Sequence, residues 1–182
     1  MRISETLAVE LVATAHDLAD AARVATLSHF RSRDLAADTK ETTRFDPVTA
    51  ADRLSEERMR AILARRRPDD GILGEEFGIQ DGTSGLPWVL DPIDGTRSYM
   101  SGTPTWGVLI SVRDDQGPLY GIIDQPYIGE RFEGGLGRAE VNGPMGKAAL
   151  GVRSPRPLAQ ATLFTTFPEV GTPEDGAAFR RG

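Results

Sequence analysis

The strongest constraint on the fold lies at residues 88–96, where the sequence reads WVLDPIDGT. The apolar run at its start predicts a buried strand that delivers Asp91 at its end. Pro92 lacks the N–H that a central strand needs, so we expect the chain to turn there, with Asp94 on the turn. Gly95 and Thr96 then form a favourable start for a helix. The segment therefore predicts two carboxylates close together at a strand end.

Two carboxylates beside the first N–H groups of a helix indicate a particular chemistry. Such N–H groups bind anions, most often phosphate. Neighbouring carboxylates repel each other unless one is protonated or a cation lies between them. Hard oxygen ligands next to a phosphate suit Mg²⁺. The structural alternative is that Asp91 caps a helix and Asp94 serves a turn, which are common roles for Asp.

Further acidic residues occupy comparable positions. Glu75 and Glu76 follow a short apolar run, although a Glu pair on its own is usually a solvated surface. Asp52 lies one turn into a predicted helix, where an acid stabilises the N-terminus by ~0.3–1 kcal/mol. Each structural explanation accounts for one position, whereas their occurrence together favours a shared site.

The order of predicted elements indicates the fold class. Apolar residues recur every three or four positions in the first 30 residues, which predicts a helix with Ser4 as a candidate cap. His16 and His29 lie in this helix without metal-ligand spacing and are expected to be structural. A second helix is predicted from about Thr49 to Arg66. Helices followed by closely spaced strands predict an α+β fold, with an antiparallel sheet covered by two helices. The predicted strands lie at residues 72–73, 88–90, 108–112, 119–124 and 127–133, with a hairpin turn at 114–117.

Composition excludes several functional classes. The 182 residues contain 21 Lys+Arg and 27 Asp+Glu, a net charge of −6, which argues against a basic face for nucleic acid. The absence of Cys excludes disulfides, zinc fingers and a cysteine nucleophile. The sequence shows neither a signal peptide nor an apolar run long enough to span a membrane, so a cytoplasmic protein is expected.

Three motifs, DPVTAAD at residues 46–52, GEE at 74–76 and the segment at 88–96, resemble in order and spacing those of the inositol monophosphatase family. Members of that family are Mg²⁺-dependent, Li⁺-sensitive phosphatases. The resemblance implies alternating helical and sheet layers, a homodimer, two or three Mg²⁺ ions and a small phosphorylated metabolite as substrate. It also implies roles for individual residues: metal ligation by Glu75, Asp91, Asp94 and the Ile93 carbonyl, water activation by Asp52 and Thr96, and a place near the active site for Lys40. The backbone N–H groups of Gly95 and Thr96 are expected to hold phosphate oxygens.

The residues after the third motif bear on the substrate. Arg97, Ser98 and Tyr99, followed by GTPTWG at residues 102–107, are similar to the bacterial histidinol-phosphate phosphatase branch. Residues 165–166 and 173–175 are similar to it as well. The resemblance favours L-histidinol phosphate and a place in histidine biosynthesis, with inositol 1-phosphate as the alternative. Haloacid-dehalogenase chemistry is disfavoured because two residues separate Asp91 from Asp94, and residues 143–147 do not fit a phosphate-binding loop.

Length gives rise to a last expectation. The family carries a second signature, W-D-x-A-x-G, whose Asp is another metal ligand, and neither Trp88 nor Trp106 is followed by Asp. We therefore expect residues 1–182 to be the N-terminal portion of an inositol monophosphatase-like phosphatase, with its C-terminal layers missing or incomplete. The alternative of another class is a non-catalytic module that binds phosphate or metal, or that serves in dimerisation.

Overall fold

A computed structural model describes residues 3–32, 37–39, 47–162 and 177 of the chain. The chain divides into two units, Met1–Leu150 and Gly151–Gly182. In the first unit the helices are α1 (Glu5–His29), α2 (Ala50–Arg66) and α3 (Thr96–Met100). The second unit contains a short 3₁₀ helix, Leu158–Gln160. The strands are β1 (Ala37–Thr39), β2 (Pro47–Thr49), β3 (Ile72–Gly74), β4 (Gly78–Gln80), β5 (Trp88–Asp94), β6 (Gly107–Arg113), β7 (Pro118–Gln125), β8 (Glu130–Gly135), β9 (Arg138–Gly143) and β10 (Gly146–Ala149).

Both long helices begin where the sequence predicts. Ser4 is the N-cap of α1, and its hydroxyl accepts a hydrogen bond from the Leu7 N–H at 3.2 Å. Thr49 is the N-cap of α2 and forms a capping box with Asp52. Reciprocal caps of this kind satisfy backbone donors that have no partner within the helix.

The main sheet has the strand order β10-β9-β8-β7-β6-β5-β3-β4. The α+β prediction is confirmed, but the prediction of an antiparallel sheet is wrong at one pair, because β3 and β5 run parallel. The chain returns through β4, antiparallel to β3, and through residues 81–87 before β5 starts. This return places the start of β5 beside the start of β3.

The prediction that the chain turns at Pro92 is also wrong. β5 continues to Asp94, and its register with β6 shifts between Asp91 and Asp94. The paired stretch of β3 ends opposite Leu90, so Pro92 lies beyond that ladder and within the register shift. A proline is tolerated at such a position because no ladder hydrogen bond requires its missing N–H.

Helices α1 and α2 pack on one face of the sheet. Trp88, Leu90, Ile110 and Ile122 point to this face and are at most 2% exposed. They join one apolar cluster with Leu11, Leu18, Met59 and Leu63 of the helices. Complete burial of each large apolar side chain contributes about 1.5–3 kcal/mol, so this face holds the main core.

The opposite face of the sheet is more open. Val89, Leu109, Ile123 and Phe132 line a broad apolar groove of about 690 Å³ there, and Asp91 lies on its wall. Successive side chains of a strand point to opposite faces of the sheet. Asp91 therefore lies on the same face as Val89, opposite to the core residue Leu90.

A buried polar network links α1 to β7 and β8. Asp124 is fully buried and accepts hydrogen bonds from both Arg23 and Arg131. Arg131 also contacts His16 Nδ1 at 3.0 Å, and His16 Nε2 lies 3.3 Å from Glu133. These contacts give His16 the structural role predicted for it.

No helix in the described part of the chain is long and apolar enough to cross a lipid bilayer.

Candidate active site

The parallel register of β3 and β5 brings two acidic residues together. Gly74 is opposite Leu90 in this ladder, and the next backbone N–H, that of Glu75, donates to the Leu90 carbonyl at 3.1 Å. Glu75 and Asp91 are thus the first residues beyond the paired stretch on neighbouring strands. Their carboxyl groups lie close enough for Glu75 to perturb the ionisation of Asp91.

The environment of Asp91 disfavours its negative charge. Burial is the largest cause, followed by the hydrogen bond to Glu75 and the negative charges of Glu75 and Asp94, and together they raise the pKa of Asp91 to about 8. A hydrogen bond from the Ile93 backbone acts in the opposite direction. Asp91 Oδ1 is buried without a hydrogen-bond partner in the described part of the chain. A carboxylate in this setting needs either a proton or a cation.

The end of β5 is shaped by a tight backbone. Gly95 has a φ of 87°, and a Cβ atom there would lie 2.9 Å from the Thr105 carbonyl oxygen, so glycine is required. Thr96 opens α3, and its hydroxyl donates to the Ile93 carbonyl at 3.1 Å. The structure therefore brings Ile93 and Thr96 into direct contact, while Asp94 is exposed beside them.

Asp52 lies at the start of α2 and is 1% exposed. Its Oδ2 atom accepts from the Thr49 N–H at 2.8 Å and from the Thr49 hydroxyl at 2.6 Å. A small apolar cluster connects the start of α2 to the end of β5. In it, Ala51 packs with Ile93, Tyr99 and Trp106. Burial and then the charge of Asp52 raise the pKa of Tyr99 well above its usual value.

Lys40, which the sequence places near the active site, lies outside the described residues. Sequence reasoning also overlooked Glu56, a fully buried acid four positions after Asp52. The sequence signal that could have indicated Glu56 is its spacing from Asp52, because residues four positions apart lie on the same face of a helix. Glu56 contacts the turn that follows Glu75, through the Glu76 and Phe77 backbone.

The donor set fits a hard divalent cation. In residues 3–32, 37–39 and 47–162, no three Asp, Glu or His side chains form a metal-binding cluster by themselves. The Glu75–Asp91 pair, with its unpartnered buried oxygen, is nevertheless suited to Mg²⁺, which is held by one or two carboxylates and retains several waters. The Ile93 carbonyl is a further oxygen at the same strand end.

The α+β chain thus brings two carboxyl groups together at adjoining strand ends. The model of the inositol monophosphatase family matches residues 8–174. The chain belongs to this family.

Individual relatives support the same assignment. The chain is 43% identical over 122 residues to a histidinol-phosphatase of Streptomyces coelicolor, covering 65% of this chain and 45% of that protein. It is 36% identical over 182 residues to the bifunctional phosphatase IMPL2 of Arabidopsis thaliana, covering 98% of this chain and 51% of the relative. A solved inositol monophosphatase from Zymomonas mobilis has 38% identity and a TM-score of 0.76, over 93% of this chain and 63% of that one. The chain spans about half the length of the curated relatives it matches.

Proposed function

We propose that the whole protein hydrolyses a small phosphate monoester with Mg²⁺, and that its substrate is L-histidinol phosphate. The observation that carries the reaction type is the Glu75–Asp91 pair, in which a buried Asp91 oxygen has no partner among the described residues. Membership of the inositol monophosphatase family supports the same reaction.

The proposed metal ligands are Glu75, Asp91, Asp94 and the Ile93 carbonyl. The chemistry that bound Mg²⁺ supplies is activation of water and neutralisation of phosphate charge. The chain contributes the arrangement of these oxygens: β3 and β5 hold Glu75 beside Asp91, and Asp94 lies close enough for its charge to act on Asp91. Backbone pairing brings Glu75 and Asp91 together without a ligand, which reduces the cost of organising the site.

The proposed roles around the phosphate use the start of α3. The N–H groups of Gly95 and Thr96 bind phosphate oxygens, and the Thr96 hydroxyl takes part in orienting the attacking water. The Ile93 carbonyl fixes this hydroxyl at 3.1 Å. Asp52, held in place by Thr49, is the proposed acceptor for the proton that leaves the water. Lys40 is proposed to add positive charge near the substrate.

The substrate assignment rests on similarity and charge. The histidinol-phosphatase of Streptomyces coelicolor is 43% identical over the matched region. L-histidinol phosphate is a cationic amino alcohol ester, so an acidic pocket wall would favour it over a neutral polyol ester. Inositol 1-phosphate is the second candidate, because the inositol monophosphatase from Zymomonas mobilis is also similar.

The test is release of inorganic phosphate by the full-length protein in millimolar Mg²⁺, with parallel reactions in excess EDTA. We expect a higher kcat/KM for L-histidinol phosphate than for inositol 1-phosphate, and no release in EDTA. The reverse order of kcat/KM would assign the protein to inositol phosphate. Absence of turnover with every small phosphomonoester would refute the proposal and favour a non-catalytic module.

A further inference from the structure

The carboxylate of Glu56 is buried in α2, and the roles proposed for the reaction make no use of it. Its side chain is fully excluded from solvent. Glu is rarely buried so completely unless its charge is paired and its oxygens are hydrogen-bonded. Both requirements are met here, and the partners show what the side chain holds in place.

Glu56 accepts two backbone hydrogen bonds from the turn between β3 and β4. Its Oε2 accepts from the Glu76 N–H at 2.7 Å, and its Oε1 accepts from the Phe77 N–H at 3.2 Å. These residues directly follow Glu75. A charged acceptor makes such bonds about twice as strong as neutral ones.

The sequence accommodates this contact through Gly74. A Cβ atom on Gly74 would lie 1.8 Å from Glu56 Oε1 and 2.4 Å from its carboxyl carbon. Any larger residue would push the carboxylate away from the turn. Gly74 is therefore required by the side chain of Glu56, and its φ angle is not in the left-handed region.

Arg60 supplies the countercharge from the next turn of the same helix. Its Nε donates to Glu56 Oε1 at 2.8 Å, while its Nη2 donates to the Gly78 carbonyl at 2.6 Å. The pair thus contacts the backbone of three consecutive residues, 76, 77 and 78, where the turn leads into β4. Charged groups of α2 hold the turn, and the short β3–β4 ladder closes the hairpin on either side of it.

We propose that Glu56 is a positioning residue for the metal site: it fixes the turn so that the Glu75 carboxylate stays beside Asp91. This inference rests on the proposed function, because it assumes that Glu75 binds the metal. Asp52 and Glu56 are both buried and lie one turn apart on α2. One helix face therefore sets the position of the proposed proton acceptor and of a proposed metal ligand.

The test uses Glu56→Gln in the full-length protein, with Glu57→Gln as the matched control, because Glu57 is its exposed neighbour on the same helix. The first readout is binding of Mn²⁺ by the substrate-free protein, measured by calorimetry. Loss of a group that orients a metal ligand weakens metal binding by roughly 10–100-fold. We expect this loss for Glu56→Gln and an unchanged Kd for Glu57→Gln.

The second readout is amide hydrogen exchange of the metal-free protein. We expect exchange at Glu76 and Phe77 to accelerate roughly tenfold or more in Glu56→Gln, since a charge-assisted acceptor is lost, while amides of β6 keep their protection. Glu56→Asp keeps the charge but shortens the side chain, so it should give a Kd between those of the wild type and Glu56→Gln. It also replaces Glu56→Gln as the test variant if that protein does not fold.

The outcomes separate this inference from the proposed function. If the wild type binds Mn²⁺ and Glu56→Gln binds it equally well, the positioning role is refuted while the proposed function stands. Unchanged exchange at Glu76 and Phe77 also refutes the role. If the wild type binds no Mn²⁺, the proposed function fails, and the positioning role fails with it.

Discussion

Thr49 donates two hydrogen bonds to one carboxylate oxygen of Asp52, from its backbone N–H at 2.8 Å and from its hydroxyl at 2.6 Å. The contact has a structural function, because it completes the capping box of α2. It also holds a buried acid in a single orientation near the end of β5. The two consequences can be separated by changing each partner in turn.

Thr49→Ala and Asp52→Asn distinguish the cap from the chemistry. Thr49→Ala removes the hydroxyl and should cost about 0.5–2 kcal/mol of unfolding free energy, the range for a lost N-cap. Asp52→Asn should lower kcat by roughly 100-fold or more if Asp52 accepts a proton, since such groups contribute about 10²–10⁴-fold. Urea unfolding and steady-state kinetics measure the two quantities. Equal losses of kcat in both variants would show that Asp52 acts only through the fold.

Asp94→Asn tests the proposed metal ligands. Asp94 is exposed, so we expect little change in Tm, whereas kcat/KM should fall by roughly 100-fold or more because a ligand of the metal is lost. Asp115→Asn is the matched control, since Asp115 is an exposed acid in the turn between β6 and β7. A wild-type rate for Asp94→Asn would refute its assignment as a ligand.

Gly95→Ala tests the tight backbone at the start of α3. The φ of 87° disfavours any side chain, and the new Cβ would approach the Thr105 carbonyl oxygen to 2.9 Å. Gly85→Ala isolates the cost of the positive φ, because Gly85 also has a positive φ, of 79°. Its new methyl group would meet no atom of the described residues within 4 Å beyond its chain neighbours. Strain of this kind costs about 1–3 kcal/mol per residue. We expect Gly95→Ala to lose more unfolding free energy than Gly85→Ala and to lose phosphatase activity as well; equal losses would exclude the close contact as a constraint.

Glu133→Gln tests the pH dependence of the network between α1 and the sheet. Burial would raise the pKa of Glu133, but hydrogen bonds from Tyr120 and His16 and the charge of Arg138 outweigh it, so the pKa lies below its usual value. An acid whose pKa is lower in the folded state than in the unfolded state stabilises the fold at pH values above its unfolded pKa, which is about 4.3 for Glu. This contribution disappears as the pH falls through the folded pKa.

The measurement is urea unfolding at pH 7 and at pH 3. At pH 7 we expect Glu133→Gln to be about 1–3 kcal/mol less stable than the wild type, and at pH 3 the difference should be smaller. Glu130→Gln, on the same strand, is the control and should show no such dependence. A constant difference at both pH values would mean that the ionised form of Glu133 contributes nothing.

Much of the fold follows from local sequence patterns. The two long helices have regular apolar spacing and recognisable caps at Ser4 and Thr49, so their ends are predicted closely. β6 and β7 are also found close to their predicted positions, because their apolar runs are bounded by the turn at residues 114–117. β8 starts at Glu130 rather than at Tyr127, since residues 126–129 form the turn that precedes it.

The remaining strands depend on long-range pairing. All residues of β4 and β10 are exposed, so neither shows the alternation of apolar and polar residues that reveals a strand. β9 contains no buried residue either, and residues 143–147 span its end, the turn and the start of β10. The parallel pairing of β3 with β5 also could not be predicted, because it joins two segments that are separated in the sequence and no local motif indicates it.

The site was predictable in its residue types and less so in its contacts. The motifs indicate Glu75, Asp91 and Thr96 as candidates, and the structure places the first two side by side. The burial that raises the pKa of Asp91 depends on the tertiary packing around β5. The role of Glu56 was hidden for the same reason, because an acid in a helix is normally solvated and only the fold places this one behind Gly74.

The position of β3 and β4 at one end of the sheet order has a consequence for the lifetime of the site. Both strands have only three residues, and β4 is exposed along its length. Hairpins of this kind open locally at a lower free energy than the core strands, without global unfolding. Such an opening would separate the two acids while β5 to β8 stay folded. The working geometry of the site therefore has its own stability, which global melting does not report.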